Sequence, residues 1–313
     1  MEDLNETEVT EFIFMAFGKS TQHPVLLSVI FLFLYLIIIC GNILMILTIT
    51  YDSRLHTPMY YFVFALSCTD ICYLTTIVPQ TVCNLLGSTS SILYNNCATQ
   101  MFFFSMIGEF QLAIITIMAY DRYAAISQPL HYTTVMSLET CFKFLGLGFA
   151  IACLFSFILV YAIFRLPFCH FPTIDHFYCD VGQTFVLTCH KHKSYPASEF
   201  MVYLIAFCIF IISFCLLISS YSYIINAVLK IHTTEGRQKA FSTCSSHLTI
   251  VLVEYGCLWF IYCRTPEAYY LDKNKKFVMA FTYITPIVNP MVYSVRNKAV
   301  LEGFKKLLAK KNI

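Results

Sequence analysis

Residues 200–229 read FMVYLIAFCIFIISFCLLISSYSYIINAVL, thirty residues without one charged side chain. As a helix rising about 1.5 Å per residue, this stretch exceeds the roughly 30 Å hydrocarbon core of a bilayer. A buried helix in a soluble protein needs no uninterrupted run of that length. Working outward, 28 uncharged residues separate His23 from Asp52, Phe144–Phe164 supplies 21, and Phe277–Val295 supplies 19. Three more segments qualify with one internal carboxylate each: Pro58–Leu86 with Asp70, Cys97–Tyr120 with Glu109, and Ala240–Cys263 with Glu254. The reading is an all-α membrane protein with seven crossings. Composition agrees, since 58% hydrophobic against 12% charged leaves too little charge to cover a soluble surface of 313 residues.

Basic residues set the expected orientation. With the N-terminus outside, twelve Lys and Arg fall on the cytoplasmic side, from Arg54 to Lys311, and eight fall outside. Residues 1–24 then form an extracellular N-terminus, 25–295 the transmembrane domain, and 296–313 a cytoplasmic amphipathic helix and tail. Residues 1–24 lack the basic start and apolar run of a cleavable signal, so the first span is expected to act as its own anchor. Asn5-Glu6-Thr7 is a glycosylation sequon usable from the lumenal side. Near the C-terminus, Val300, Leu301, Phe304, Leu307 and Leu308 recur at helical spacing among Lys305, Lys306 and Lys310. Such a helix can lie along the inner membrane surface and favour anionic lipid.

Of fifteen cysteines, four fall on the outer side where they can bridge: Cys97, Cys169, Cys179 and Cys189. Four allow three connectivities, and spacing does not choose among them. The long connection Arg165–Ser198 also carries His170, His176, His190 and His192. A metal site at Cys189-His190-Lys191-His192 therefore competes with disulfides, which an oxidising compartment favours.

A set of motifs runs along nearly the whole chain. Gly41-Asn42 lies in helix one, and Leu55-His56-Thr57-Pro58-Met59-Tyr60 enters helix two. Met118-Ala119-Tyr120-Asp121-Arg122-Tyr123 ends helix three, followed by Pro129-Leu130-His131-Tyr132. Ser220-Tyr221 sits in helix five, and Lys239-Ala240-Phe241-Ser242-Thr243-Cys244-Ser245-Ser246-His247-Leu248 opens helix six. Pro286-Ile287-Val288-Asn289-Pro290-Met291-Val292-Tyr293 closes helix seven. In this order the set resembles the odorant receptors, class II (tetrapod-type), of the rhodopsin-like G-protein-coupled receptor superfamily.

The resemblance implies a plasma-membrane receptor without cofactor, structural metal or nucleic-acid partner; it also suggests sodium beside Asp70, which the position of Glu109 puts in doubt. A small odorant would be its ligand and a stimulatory olfactory-type G protein its partner, raising cyclic AMP. It implies disulfides Cys97–Cys179 and Cys169–Cys189. It also assigns switch roles to Asp121, Arg122, Tyr123, Tyr221, Asn289, Pro290 and Tyr293. The residues themselves fit such roles. Arg122 places a permanent charge at the end of a span, next to Asp121. Pro290 removes a backbone hydrogen bond and allows a bend. Asp70, about 18 Å past Pro58 along a helix, needs polar partners at that depth, and Asn42, Asn289 and Gln111 are the candidates for a shared polar and water network around it.

The chain departs from the family at one point. Odorant receptors usually carry a glutamate eleven residues before the arginine of Asp-Arg-Tyr; here that residue is Gln111, and the acid is Glu109. Two residues turn a helix by about 200°, so Glu109 cannot be given the usual place beside Asp70. It is expected to share a face with Phe104, Ser105 and Gly108 that lines the ligand cavity. The resemblance adds Val181, Ile205, Ala206, Tyr255, Leu258, Trp259, Tyr262 and Thr282 to that cavity. Glu109 and a second unusual acid, Glu254, suit an amine or another hydrogen-bond-donating ligand. The plainer alternative is a neutral, water-bridged acid that packs the helices. Three other functions compete with this one. A rhodopsin-like receptor for a non-odorant metabolite would have similar pocket chemistry. A proton-coupled transporter or channel would show paired halves, and residues 1–150 and 151–313 show no such symmetry. An intramembrane protease would carry a Gly-x-Gly-Asp type of signature, which is missing.

Overall fold

The structure, a computed structural model, describes residues 9–15, 23–87, 90–169, 172–262 and 272–310. The helices are α1 Pro24–Tyr51, α2 Pro58–Thr75, α3 Val78–Leu86, α4 Tyr94–Ser127, α5 Tyr132–Val135 and α6 Leu138–Phe164. They continue with α7 Val181–Val186, α8 Tyr195–Leu229, α9 Thr234–Tyr262, α10 Asp272–Arg296 and α11 Lys298–Lys310. Among the described residues, five helices are long and apolar enough to cross a membrane: α1, the α2–α3 pair, α4, α6 and α8. The sixth and seventh expected crossings fall on α9 and α10. These are less apolar because they carry polar residues, and several of those are buried: Ser246, His247 and Glu254 on α9, and Thr282, Thr285 and Asn289 on α10. Elsewhere the surface is that of a protein in lipid. Phe33, Phe142, Phe157, Phe200 and Phe207 are each more than half exposed, an arrangement that water would punish and hydrocarbon accepts.

The chain forms two compact units. The first comprises Met1–Tyr35, Cys72–Glu109 and Ala150–Phe210. Its sheet has the order β2-β1-β3, where β1 is Glu11–Phe14, β2 Ser91–Leu93 and β3 Thr173–Ile174. Strand β1 runs antiparallel to β2, with Phe12 opposite Ile92, and parallel to β3, with Ile13 opposite Thr173. The sequence Glu-Phe-Ile-Phe alternates, so Phe12 and Phe14 turn into the core while Glu11 and Ile13 turn out. Phe12 is fully buried, with its ring 5.1 Å from Phe168 and 6.0 Å from Tyr94. Residues 11–14 thus form a strand, which the expectation of an extracellular N-terminus over 1–24 did not include. Asn5 lies outside the described residues.

Disulfides Cys97–Cys179 and Cys169–Cys189 hold the long connection, with Cα separations of 5.5 and 5.0 Å. Between them Asp180 caps α7 by accepting from the Gln183 N–H at 3.0 Å. These contacts displace the metal alternative. Cys189 is bonded to Cys169, the His190 ring stacks 4.5 Å from Tyr195, and His192 Nδ1 accepts from the Ser194 N–H. His170 lies outside the described residues.

Helix two is broken at Thr76-Ile77. Pro79, the second residue of α3, has no N–H for the Thr75 carbonyl and its ring crowds that oxygen, so the helix stops and restarts. Gln100 of α4 bridges the break. Its Nε2 donates to the Thr76 carbonyl at 2.9 Å, and its Oε1 accepts from the Cys179 N–H at 3.0 Å.

The second unit comprises Leu36–Ile71, Phe110–Phe149 and Ile211–Ile313. Here α11 docks on the turn between α1 and α2. Arg54 donates to Asp52 at 2.7 Å and to Glu302 at 3.0 Å, and Asn297 donates to the Tyr60 hydroxyl at 2.8 Å. The Arg54 guanidinium pulls the Asp52 carboxyl down from 3.8 to about 2. Because the shift is downward, the stabilisation is complete above 3.8 and fades only as pH falls toward about 2.

Gly303 lets α11 approach closely. A Cβ there would stand 3.0 Å from Thr48 and 3.2 Å from Asp52, whereas one at Gly146 would meet nothing within 4 Å. Gly303→Val should therefore destabilise the protein by about 1–3 kcal/mol through overpacking, while Gly146→Val leaves thermal unfolding in detergent unchanged. Equal midpoints for the two variants would contradict this docking.

Candidate functional site

Asp70 of α2 is completely buried. Taking a carboxylate out of water costs several kcal/mol unless donors replace the lost hydration. Two amides supply them. Gln111 Nε2 donates to Asp70 Oδ1 at 2.9 Å, and Asn289 Nδ2 donates to Oδ2 at 3.0 Å and Oδ1 at 3.2 Å. These two amides replace donors that water would have supplied to the buried carboxyl. The resemblance also suggests a sodium ion beside Asp70, but these residues do not fit one. Both Asp70 oxygens already accept from amide donors, and Gln111 presents a donor in the place of the family's usual second carboxylate.

Asn42, expected in a shared water network around Asp70, gives its own amide donor to backbone carbonyls. Its Nδ2 donates to the Pro286 carbonyl at 3.2 Å and to Ile38 O at 3.0 Å. The reason lies in α10. Pro290 has no N–H for the carbonyl four residues earlier, and Asn42 supplies the missing donor. Gly41, next in sequence, packs beside the Pro290 ring, which a Cβ at that position would meet at an ordinary contact distance of 3.8 Å.

At the end of α4, Asp121 is fully buried and binds Arg122 through Nε at 3.0 Å and through the guanidinium nitrogen Nη2. The other carboxylate oxygen accepts from the Tyr132 hydroxyl of α5 at 2.7 Å. Burial, then the neighbouring Asp121 carboxylate, push the Tyr132 phenol upward, so it stays a donor. Close by, the Tyr221 hydroxyl lies 2.6 Å from His247 Nδ1, and His247 Nε2 lies 3.0 Å from the Ile115 carbonyl. A carbonyl only accepts, so the network assigns the proton to Nε2 and leaves Nδ1 to accept from Tyr221. Tyr293 is buried, with its hydroxyl on the Met118 sulfur at 3.7 Å. Tyr123 packs against Ile224, Val228 and Cys244.

The ligand candidates divide between the two units. In the first, the Phe104 ring lies 4.5 Å from Tyr73 and 4.4 Å from Tyr178, and a Cβ on Gly108 would lie 3.6 Å from Tyr73. Ser105 is half-buried. Val181 opens α7 and packs against the unit's core, to which Ile205 belongs; Ala206 is exposed. Glu109 does not share the face of Phe104 and Gly108. It turns to α6, beside Ser156, on the side where Met106 meets Cys153. One residue is about 100° of helix, which separates Glu109 from Gly108. Its Oε2 is buried with no hydrogen-bond partner among the described residues.

In the second unit, Tyr255 is buried beside Ser213 and Thr116. Glu254 adjoins Thr285, and its Oε1 has no hydrogen-bond partner among the described residues. Thr282 Oγ1 donates to its own helix at Val278 O, and Leu258 is half-buried. Trp259 is 61% exposed. The Tyr262 side chain lies outside the described residues.

Sequence reading gave no role to Gln100, Tyr132 or His247. A histidine inside a membrane-length helix was itself a signal, since an imidazole there needs partners.

The sequence model of the olfactory receptor family matches residues 31–311 of this chain. The chain belongs to the olfactory receptor family. The receptor is 41% identical to human olfactory receptor 10Q1 over 308 residues, covering 98% of this chain and 96% of that protein. It is 40% identical to human olfactory receptor 10R2, covering 98% and 91%. It is 38% identical to mouse olfactory receptor 5G9, covering 100% and 99%. Its fold is the family's seven-transmembrane helix bundle, and it is a multi-pass membrane receptor rather than an enzyme.

Gln111→Leu removes one donor from the buried Asp70 carboxyl and should cost about 1–3 kcal/mol. The check is a lowered thermal midpoint of the purified receptor; an unchanged midpoint would mean that Asp70 does not depend on Gln111.

Proposed function

We propose that the receptor exposes its N-terminus outside the cell, binds a small odorant that donates hydrogen bonds, an amine foremost, and activates a stimulatory olfactory-type G protein that raises cyclic AMP. The observation that carries this reading is the restraint on Arg122. Its charge is held by Asp121, which Tyr132 holds in turn, while Tyr221 is engaged by His247. Such an arrangement suits a resting state in which the arginine is withheld from an incoming protein. Ligand binding would shift the equilibrium toward a state with these contacts exchanged and the inner end of α9 displaced.

The ligand class is argued from acceptors without donors. Glu109 and Glu254 each keep a buried carboxylate oxygen unpartnered among the described residues. An ammonium or another N–H donor satisfies such an oxygen, and a purely hydrocarbon ligand does not. Aromatic candidates of the first unit, Phe104 and Tyr178, suit a small, poorly hydrated molecule. Residues 296–313 would lie on the cytoplasmic side, with α11 along the membrane surface.

A cyclic-AMP reporter in cells tests both parts. Arg122→Ala should abolish signalling while surface expression persists. Glu109→Gln and Glu254→Gln should weaken amine responses about tenfold or more, the equivalent of one charge-assisted hydrogen bond, and spare neutral odorants. Normal signalling from Arg122→Ala would remove the switch mechanism. Equal losses for amines and neutral terpenoids would remove the amine assignment.

A further inference from the structure

Within the second unit, α11 folds back against α1 and α10 but does not fill the angle between them. A hollow of about 290 Å³ remains, lined by Gly41, Met45, Ile287, Pro290, Val300 and Phe304 among others. It exists for local reasons. Gly41 contributes no side chain, and Gly303 together with Arg54 and Glu302 fixes α11 in place.

Water does not suit this hollow. The lining has two hydroxyls, Thr48 and Ser294, and both are spent on their own helices: Thr48 Oγ1 on Leu44 O at 2.7 Å, Ser294 Oγ on Met291 O at 3.2 Å. A buried water needs two to four polar partners. The outer lips are exposed apolar residues, Ile37 and Met291 on spans that stand in the bilayer and Leu301 on α11, so hydrocarbon is the medium at the mouth.

The rim says which hydrocarbon. Arg54 and Lys306 are engaged by Asp52 and Glu302. Lys305, one helical turn from Leu301, is exposed and makes no ion pair among the described residues. We propose that the hollow between α1, α10 and α11 holds an acyl chain of an anionic membrane phospholipid, whose headgroup meets Lys305. This rests on the reading of α11 as a surface-lying helix and gives that reading a specific ligand.

The test places the whole receptor in phosphatidylcholine nanodiscs that contain a trace of phosphatidylserine with a photoactivatable group midway along one acyl chain. After irradiation, label should concentrate on residues 41–48, 287–294 and 300–304 rather than on the lipid-facing apolar residues of α8. Gly41→Leu, which fills the hollow, should abolish that concentration. Lys305→Gln should lower the yield about fivefold, the attraction of one basic residue to an anionic surface. Label spread evenly over α8 and these segments would overturn the proposal. So would unchanged labelling in both variants, or displacement by cholesterol but not by unlabelled phosphatidylserine, which would mean a sterol occupant. Label on 300–304 without label on 41–48 and 287–291 would leave α11 at the surface and the hollow without a chain. No label on α11 at all would remove the surface reading itself. If Gly41→Leu cannot be purified, the wild-type map and Lys305→Gln decide.

Discussion

Hydrocarbon offers no hydrogen bonds, so each polar group that enters it must find a partner inside the protein. Much of the receptor's interior is a response to that requirement. Asp70 recruits Gln111 and Asn289, Asp121 recruits Arg122 and Tyr132, and His247 links Tyr221 to the Ile115 carbonyl. Each group is a liability alone and a fixed contact when paired. Pairs of this kind are also what a two-state protein exchanges, because their partners can be traded but not simply dropped.

The prolines follow the same rule. Pro79 and Pro290 each deprive a helix of a donor, and in each case a side-chain amide from another helix serves the disturbed backbone: Gln100 at Thr76, Asn42 at Pro286. The breaks are therefore sites of definite hydrogen bonding. They tie α4 to the interrupted second span and α1 to α10, at positions where a straight helix would have needed no such contact.

Much of this was legible in the sequence. Length and apolarity give the seven helical segments, because hydrocarbon thickness is a hard constraint that single residues cannot evade. The inward polar residues were legible as well, since Asp70 stands out against its neighbours. Three things were not. The side toward which an acid points depends on its helix's rotation against its neighbours, so Glu109 turned to Ser156 where a shared face with Gly108 was expected. Strand β1 is four residues long and draws its stability from β2 and β3, which lie far along the chain. Trp259 and Asn42 show the remaining limit. An aromatic residue on a span serves lipid or core equally well by its chemistry, and an asparagine serves whichever neighbour lacks a donor.

The central claim is that side chains restore hydrogen bonds which the spans lose, and a double-mutant cycle on Asn42 and Pro290 tests it most directly. In the native receptor Asn42→Ala leaves the Pro286 carbonyl without its donor and should lower the thermal midpoint. In a Pro290→Ala background the backbone N–H of residue 290 can serve that carbonyl, so Asn42→Ala should cost much less. Strictly additive losses would contradict the account.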